Sequence, residues 1–461
     1  MTGRRAFLLA SLVLGNALGR SGAASLTLSL RDLTQSALQR SPRLQAARLD
    51  YESALGAASA SGAAGLPRVS LDGNYRYVTE VPSFTLPPRG PSLTFGDNNN
   101  YNVGVSLTWT LWDFMSQTNQ TASLDAVAES KYEVYQAARR QLLLAVRLAY
   151  FQVQTGLEHV RLLGDSLKVA QAEFADIEKQ STLGSASRMD MLSSHQEVLD
   201  FERQFRQAQA GLAGSLRDLF SLTGGREPAD FSLPLDGRME SHLPQDVPGA
   251  SVWLSGDLDR EPLEALKKQA QTPPDGSVPQ LRVYALMADA ARLASAAVQS
   301  QLYPRIAVSG RSDYEYPNGP VLQTIQQNSA GASLSMILFD WGALGNDADS
   351  RRKQSESALK SLDQAGTDLA RDWNKANDAL RSLQAQQSLN QKSVAETEEL
   401  ATLTYNSYRA GRARFLEVES ANFRALAAKV QSSDNDLQIL MQMSILASLS
   451  GESDSHKKEE E

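Results

Sequence analysis

Gly104-Val105-Ser106-Leu107-Thr108-Trp109-Thr110-Leu111-Trp112-Asp113 is repeated, in pattern, as Gly331-Ala332-Ser333-Leu334-Ser335-Met336-Ile337-Leu338-Phe339-Asp340, 227 positions later. A glycine at a helix-hairpin tip, Gly184, returns as Gly411 at the same offset. Upstream, Pro42-Arg43-Leu44 returns at Pro279-Gln280-Leu281, and Leu66-Pro67-Arg68-Val69 at Tyr303-Pro304-Arg305-Ile306, both displaced by 237. Two constant offsets within one chain mean that a unit of about 200 residues is duplicated. The difference in length is confined to the segment between the two pairs of anchors, so both halves share one architecture.

Composition narrows the class. With 42% hydrophobic residues and only 17 Pro and 30 Gly among 461 residues, the chain is rich in helix. It has no Cys, which removes disulfides, thiolate chemistry, cysteine-based zinc sites and an acylated N-terminal cysteine. A net charge of −8 argues against a nucleic-acid partner, because binding phosphates requires a basic face.

The N-terminus reads as a cleaved signal peptide over residues 1–24. Arg4 and Arg5 are followed by a short apolar run and then by Gly22-Ala23-Ala24, a small-residue cleavage site. A membrane anchor is the alternative, but the apolar run is shorter than about 30 Å of hydrocarbon demands. The rest of the chain has no apolar stretch long enough for a spanning helix, whereas barrel strands would escape such a search.

Between about Thr121 and Leu183 there is no Pro, and Val146, Tyr150, Val153, Leu157, Val160, Leu163, Leu167, Ala170, Phe174 and Ile177 recur every three or four residues. This predicts one amphipathic helix of roughly 60 residues, about 95 Å long. Its copy runs from about Leu344 to Ala410, with Leu369, Trp373, Ala376, Leu380 and Leu383 on a seam that turns polar through Gln387, Asn390, Thr397 and Thr404. A weakening seam suits a helix whose inner face meets water. Leu183-Gly184-Ser185-Ala186-Ser187 and Ala410-Gly411-Arg412 supply a left-handed cap, and the hydroxyls of the first can cap the following helix. Those return helices are expected at about 188–222 and, opened by Ala410-Gly411-Arg412, to about 449. Shorter helices are expected at about 42–65 and 279–302.

Each half also carries two segments of period two, expected as strands at about 69–78 and 102–112 and at about 305–316 and 330–339. Their apolar face (Val69, Leu71, Tyr75; Val103, Val105, Leu107, Trp109; Ile306, Val308; Leu334, Met336, Leu338) alternates with a polar one. Such alternation fits a membrane strand with a wet interior, or a half-exposed sheet in a soluble domain. Aromatic residues at the strand ends, among them Tyr75, Tyr77, Tyr101, Trp112, Tyr314, Tyr316 and Phe339, favour the membrane. Four strands cannot close a barrel, so other copies must complete it; three copies would supply twelve strands. Pro67 and Pro304 mark the switch from helix to strand. Long Pro-, Gly- and Asn-rich loops are expected at Val81 to Asn100 and Pro317 to Ser329.

In their order and double occurrence, these segments resemble the TolC-type outer-membrane efflux proteins. The resemblance covers about Leu28 to Gly451. It implies a mainly α fold with a transmembrane β-barrel, in which a duplicated strand-strand-helical-hairpin unit forms a homotrimeric 12-stranded barrel continuous with a long α-helical periplasmic tunnel. The halves would be residues 25–222 and 279–449, with 223–278 as part of an equatorial belt and 450–461 as a disordered charged tail. It implies a passive conduit in the outer membrane, in contact with its lipid, that partners a periplasmic adaptor (membrane fusion) protein and an inner-membrane pump of the RND or ABC type. Drug, metal-ion and protein export are not separable from the residues, because specificity belongs to the pump. A secreted coiled-coil scaffold without a channel is the alternative.

The resemblance places a gate in the second hairpin. Carried over from Gly411, its tyrosine falls on Tyr408 and its first acid on Glu417; its arginine falls on Ala413 and its second acid on Ser420, where this chain departs from the pattern. Arg412 and Arg414 flank the missing arginine, and Glu419 adjoins the missing acid. Three carboxylates around an axis would favour cations and repel anions; the plainer reading of Glu417 and Glu419 is a pair of solvated charges. Leu183, Gly184, Ser185, Ser187, Gly411 and Arg412 are the expected adaptor-docking tips. Asp190 is expected to be structural, and Asp113 and Asp340 to be helix caps. His159, His195, His242 and His456 lack metal-binding spacing, and neither a phosphate loop nor a nucleophile motif is present, so no cofactor and no enzymatic activity are expected.

Overall fold

The computed structural model describes residues 30–85, 92–224 and 270–450, with short pieces at 26–27, 252–253 and 266–268. In chain order the elements are β1 (Leu26–Thr27), α1 (Leu30–Arg40), α2 (Pro42–Ala64), β2 (Arg68–Tyr77), β3 (Ser83–Thr85), β4 (Ser92–Thr94), β5 (Asn99–Trp112), α3 (Ser116–Thr182) and α4 (Arg188–Thr223). They continue with β6 (Val252–Trp253), α5 (Pro279–Ser300), β7 (Arg305–Tyr316), β8 (Ile325–Ser335), α6 (Ala343–Arg409) and α7 (Phe415–Leu449). The expected signal peptide, most of the interhalf segment and the charged tail lie outside the described residues. Contacts divide the chain into two units.

One unit holds Pro42–Arg140 and Pro274–Trp373. Its centre is a four-stranded antiparallel sheet of order β2-β5-β7-β8, so the inner strands of the two halves pair side by side. β2 and β8 are its edges. The register aligns Ser70, Ser106 and Arg311 in one polar row and Asp72, Gly104 and Asp313 in the next. Between these rows Ser106 donates to Asp72 at 2.8 Å, and Arg311 pairs with Asp313. Gly104 is required there: a Cβ would lie 2.6 Å from the Ser312 carbonyl oxygen and 2.8 Å from Asp313 Cα. On the other face Val69, Leu71, Val103, Val105, Leu107 and Trp109 are exposed.

Three of the expected strands match closely, but the fourth is corrected. β8 runs over Ile325–Ser335 rather than 330–339, leaving Met336, Leu338 and Phe339 outside the strand. The ladder ends at the pair Arg305 and Ser335, and the next residue on β7's side is Pro304, which has no N–H to donate. At the other end the expected loop loses Ile325 to Ser329 to the strand. The first loop contains a small hairpin, β3 with β4.

Both strand-to-helix junctions use one device. Asp113 accepts the Gln117 backbone N–H at 2.8 Å, and Asp340 accepts that of Leu344 at 2.8 Å, so both are caps. The residue after each, Phe114 or Trp341, sits at positive φ, a strained conformation held by the turn. In the same unit, α5 packs closely because its facing residues are small. Ser116 and Ser123 of α3 donate to the carbonyls of Ala297 and Ala290, and Ser355 of α6 to that of Ala288.

Of the described residues, the other unit holds 30–41, 141–224 and 374–450. Its core is the expected seam of α3 (Val146, Tyr150, Val153, Val160, Leu163, Leu167, Ala170) against Phe201, Phe205, Leu212, Leu216 and Leu219 of α4 and Leu426 and Leu437 of α7. α1 adds Leu33 and Ala37, a helix that the sequence reading passed over although these residues share one face. α3 and α6 are each 67 residues long, but of α6 only Ala348, Ser355 and Ala376 are buried. The second return helix, expected to open from the tip triplet Ala410-Gly411-Arg412, begins at Phe415. Arg414 takes the cap position without a side-chain hydrogen bond, so nothing holds a helix over Arg412 and Ala413.

Candidate functional site: the hairpin tips

Both tips close with the same hydrogen bonds. The N–H of Ser185 reaches back to the Gln180 carbonyl at 2.8 Å, and that of Arg412 to the Ser407 carbonyl at 2.9 Å. Gly184 (φ 77°) and Gly411 (φ 70°) occupy the left-handed position that such a closure needs. Beyond the glycine the copies part. Ser187 accepts the Asp190 N–H at 3.1 Å while the Asp190 carboxylate receives Ser187's backbone N–H, a complete capping box. Asp190 is therefore structural, as expected. Ser185 bonds back to Gln180 at 2.9 Å and closes the preceding helix instead of capping the next. Leu183, at 83% exposure, and Met189, at 73%, leave apolar surface at this tip.

The two hairpins meet in a small apolar cluster of Ile177, Phe415 and Val418, flanked by Ala186, Met191, Tyr405 and Tyr408. Tyr408 packs edge-on against Phe415, with ring centres 5.5 Å apart. Its phenol is pushed above the ordinary range by burial and then by the charge of Asp190. Tyr405 donates to Asp176 at 3.3 Å, a second link between α6 and α3. Tyr408, then, is an expected gate residue built into the apolar contact between the hairpins.

Of the other expected gate residues, Glu417, Arg412 and Arg414 stand apart. Glu417, Arg412 and Arg414 are exposed, and no side-chain hydrogen bond or ion pair is formed by any of them among the described residues. Ala413 is half-buried and Ser420 exposed. Glu419 stands about 200° around the helix from Glu417; burial and then Asp200 push its carboxyl upward.

A cluster that sequence reading missed lies one and two turns farther in. Asn422 on α7 donates through Nδ2 to Glu173 Oε2 on α3 at 3.0 Å and to Glu197 Oε1 on α4 at 3.1 Å. Glu173 is 6% exposed and Glu197 0%. Burial pushes each carboxyl up to about 7 against the opposing effect of the Asn422 hydrogen bond, and for Glu197 the charges of Glu173 and Glu419 add to the rise. Glu197 Oε2 and the nearby Ser194 Oγ have no hydrogen-bond partner among the described residues. The available signal was an acid on an apolar stripe: Glu173 between Ala170 and Ile177, and Glu197 four residues before Phe201.

Glu173 and Asn422 open onto a cavity of about 1090 Å³, also lined by Arg161, Glu398, Tyr405 and Lys429. Among the described residues, no three or more His, Cys, Asp or Glu side chains gather to hold a metal ion. Nor is any described helix long and apolar enough to cross a membrane.

A family model described as outer membrane efflux protein matches residues 33–225 and 276–452. No curated protein matches the chain. Among solved structures it is similar to the outer-membrane channel OprN, at 18% identity with a TM-score of 0.72, over 92% of this chain and 90% of that one. It is also similar to CusC, at 16% identity and a TM-score of 0.72, over 95% and 96% of the two chains. A third likeness is to the outer membrane protein VceC of Vibrio cholerae, at 14% identity and 0.71, over 91% and 95%. At these identities the structures speak for the fold.

Proposed function

The chain belongs to the outer membrane efflux protein family and is an outer-membrane channel; on that premise we propose that it works as a homotrimer, a passive conduit gated at its helical hairpin tips. The family assignment sets aside the reading as a secreted scaffold. The observation that carries the trimer is the sheet. It has four strands, two edges without partners among the described residues, and an exposed apolar face. In hydrocarbon each unpaired backbone group costs several kcal/mol, so open edges cannot stay open. Joining β2 of one copy to β8 of the next satisfies both edges, and three copies give an even-stranded barrel with the Asp72 and Arg311 rows facing its water-filled interior.

A passive conduit needs a pump elsewhere, so the partners are a periplasmic adaptor and an inner-membrane pump of the RND or ABC type. The adaptor's docking surface is the tips, where Leu183 and Met189 present apolar area beside Gly184, Ser185, Ser187, Gly411 and Arg412. At the aperture, Glu417 is the acidic ring and Tyr408 the packed strut, with Arg412, Arg414 and Glu419 as neighbouring charges. Support comes from Glu417's freedom from partners and its place in the first turn of α7, where the helix dipole favours a carboxylate. Conductance in planar lipid bilayers tests the channel, and native mass measurement tests the trimer. Cation-preferring pores from a three-copy particle are expected; a detergent-independent monomer without pores overturns the reading.

A further inference from the structure

Three helices of the hairpin unit meet at one amide. α3 and α4 belong to the first hairpin and α7 to the second, and Asn422 spends both N–H groups of its side chain on two buried acids of the first hairpin. We propose that Glu173, Asn422 and Glu197 form a proton-held latch that fastens the second hairpin to the first, closed while the acids are protonated and loosened when they ionise.

The geometry leaves few ways to tolerate charge there. One Asn amide cannot satisfy the four oxygens of two carboxylates, and Glu197 Oε2 has no donor among the described residues. Two close buried carboxylates resist joint ionisation, as desolvation and mutual repulsion both favour the neutral acid. The surroundings do not compensate. From α7 the charge that acts on Glu197 is Glu419, itself beside Asp200 of α4; on α3, Asp176 lines the same cavity as Glu173 and binds Tyr405 of α6. His195 stacks on Phe174 at 5.1 Å from the exposed side. Lys429, in the adjoining cavity, is held by Glu398 at 2.6 Å, and Arg161 by Glu158 and Asp165. No cation figures among the groups that act on either acid.

The sign follows from the burial. Both carboxyls are raised from 4.5 to about 7 in the packed state. Their contribution to packing is thus fully present below the ordinary carboxylate range and is lost as pH rises toward about 7. Above that, the charged pair draws water from the cavity and the hairpins separate more readily.

The test compares the full-length trimer with Glu173→Gln/Glu197→Gln, whose side chains keep the shape of the protonated acids. Hydrogen exchange over residues 415–426 should match at about pH 5 and be several-fold slower in the double variant at about pH 9. The wild type should also show an infrared carboxylic-acid band that vanishes near neutrality and is absent from the variant. Equal exchange at alkaline pH, or no titrating band, overturns the latch. Should the double variant fail to assemble, Glu197→Gln alone is read by the same two criteria. Any effect of the latch on conductance rests on the channel reading. A chain that forms no pores yet keeps the exchange difference would overturn that reading and leave the latch standing, whereas pores with equal exchange would do the reverse.

Discussion

Glu417 gives the gate its simplest test at the scale of one residue. If three copies ring the aperture, Glu417→Ala removes three negative charges from a constriction, and closed-state conductance should rise or block by divalent cations weaken. Bilayer recordings across a divalent titration check this; unchanged block would assign the gate to other residues. Gly104 predicts something different. A Cβ there meets the backbone of Ser312 and Asp313, which cannot move without breaking the β5–β7 ladder. Gly104→Ala should cost about 1–3 kcal/mol, the usual range for overpacking, and lower the yield of heat-resistant trimer. The glycine was visible in the sequence as one end of a repeat. That Asp313 lies over it was not, since the two residues are 209 positions apart and only strand register joins them.

Among the elements, the hairpins were the most legible, because a period of three and four sustained over many turns has no competing interpretation. α3 and α6 begin and end close to where the apolar spacing and Gly184 and Gly411 put them. α7 differed since its start depends on a cap that the sequence does not supply. Ser187 shows what a cap contributes. Ser187→Ala should cost about 1 kcal/mol, within the measured range of about 0.5–2 for such losses, and speed hydrogen exchange in the first turn of α4 while leaving α7 unchanged. β8 was misplaced by several residues because strand ends are decided by the partner: Pro304 ends β7's donors and so ends β8 as well.

For the molecule as a whole, the two faces of the sheet make opposite predictions. Leu71, 73% exposed on the apolar face, should not tolerate charge: Leu71→Arg costs about 2–4 kcal/mol near a bilayer midplane and should sharply reduce trimer in the outer-membrane fraction. Asn74→Arg, on the polar face of the same strand, should insert normally and alter only ion selectivity. Membrane fractionation with a trimer-specific gel reads both, and equal insertion of the two variants would contradict a lipid-facing sheet. This division of faces was legible from alternation alone. The closing of strands into a barrel was an inference from the cost of an open edge in lipid.

Sequence by itself determined the duplication, the long helices, the two-faced strands and the glycine turns. These are local or periodic features, set by residue spacing and backbone sterics. Tertiary structure decided which strands neighbour one another, where β8 and α7 begin, and that α1 joins the core. It also decided that Tyr408 packs between the hairpins while Glu417 stays free, and that Glu173, Glu197 and Asn422 meet. The last of these has the plainest physical reason. Glu173 and Asn422 are 249 positions apart, and an acid on an apolar stripe is unremarkable in a sequence until folding removes its water and leaves a single amide in place of it.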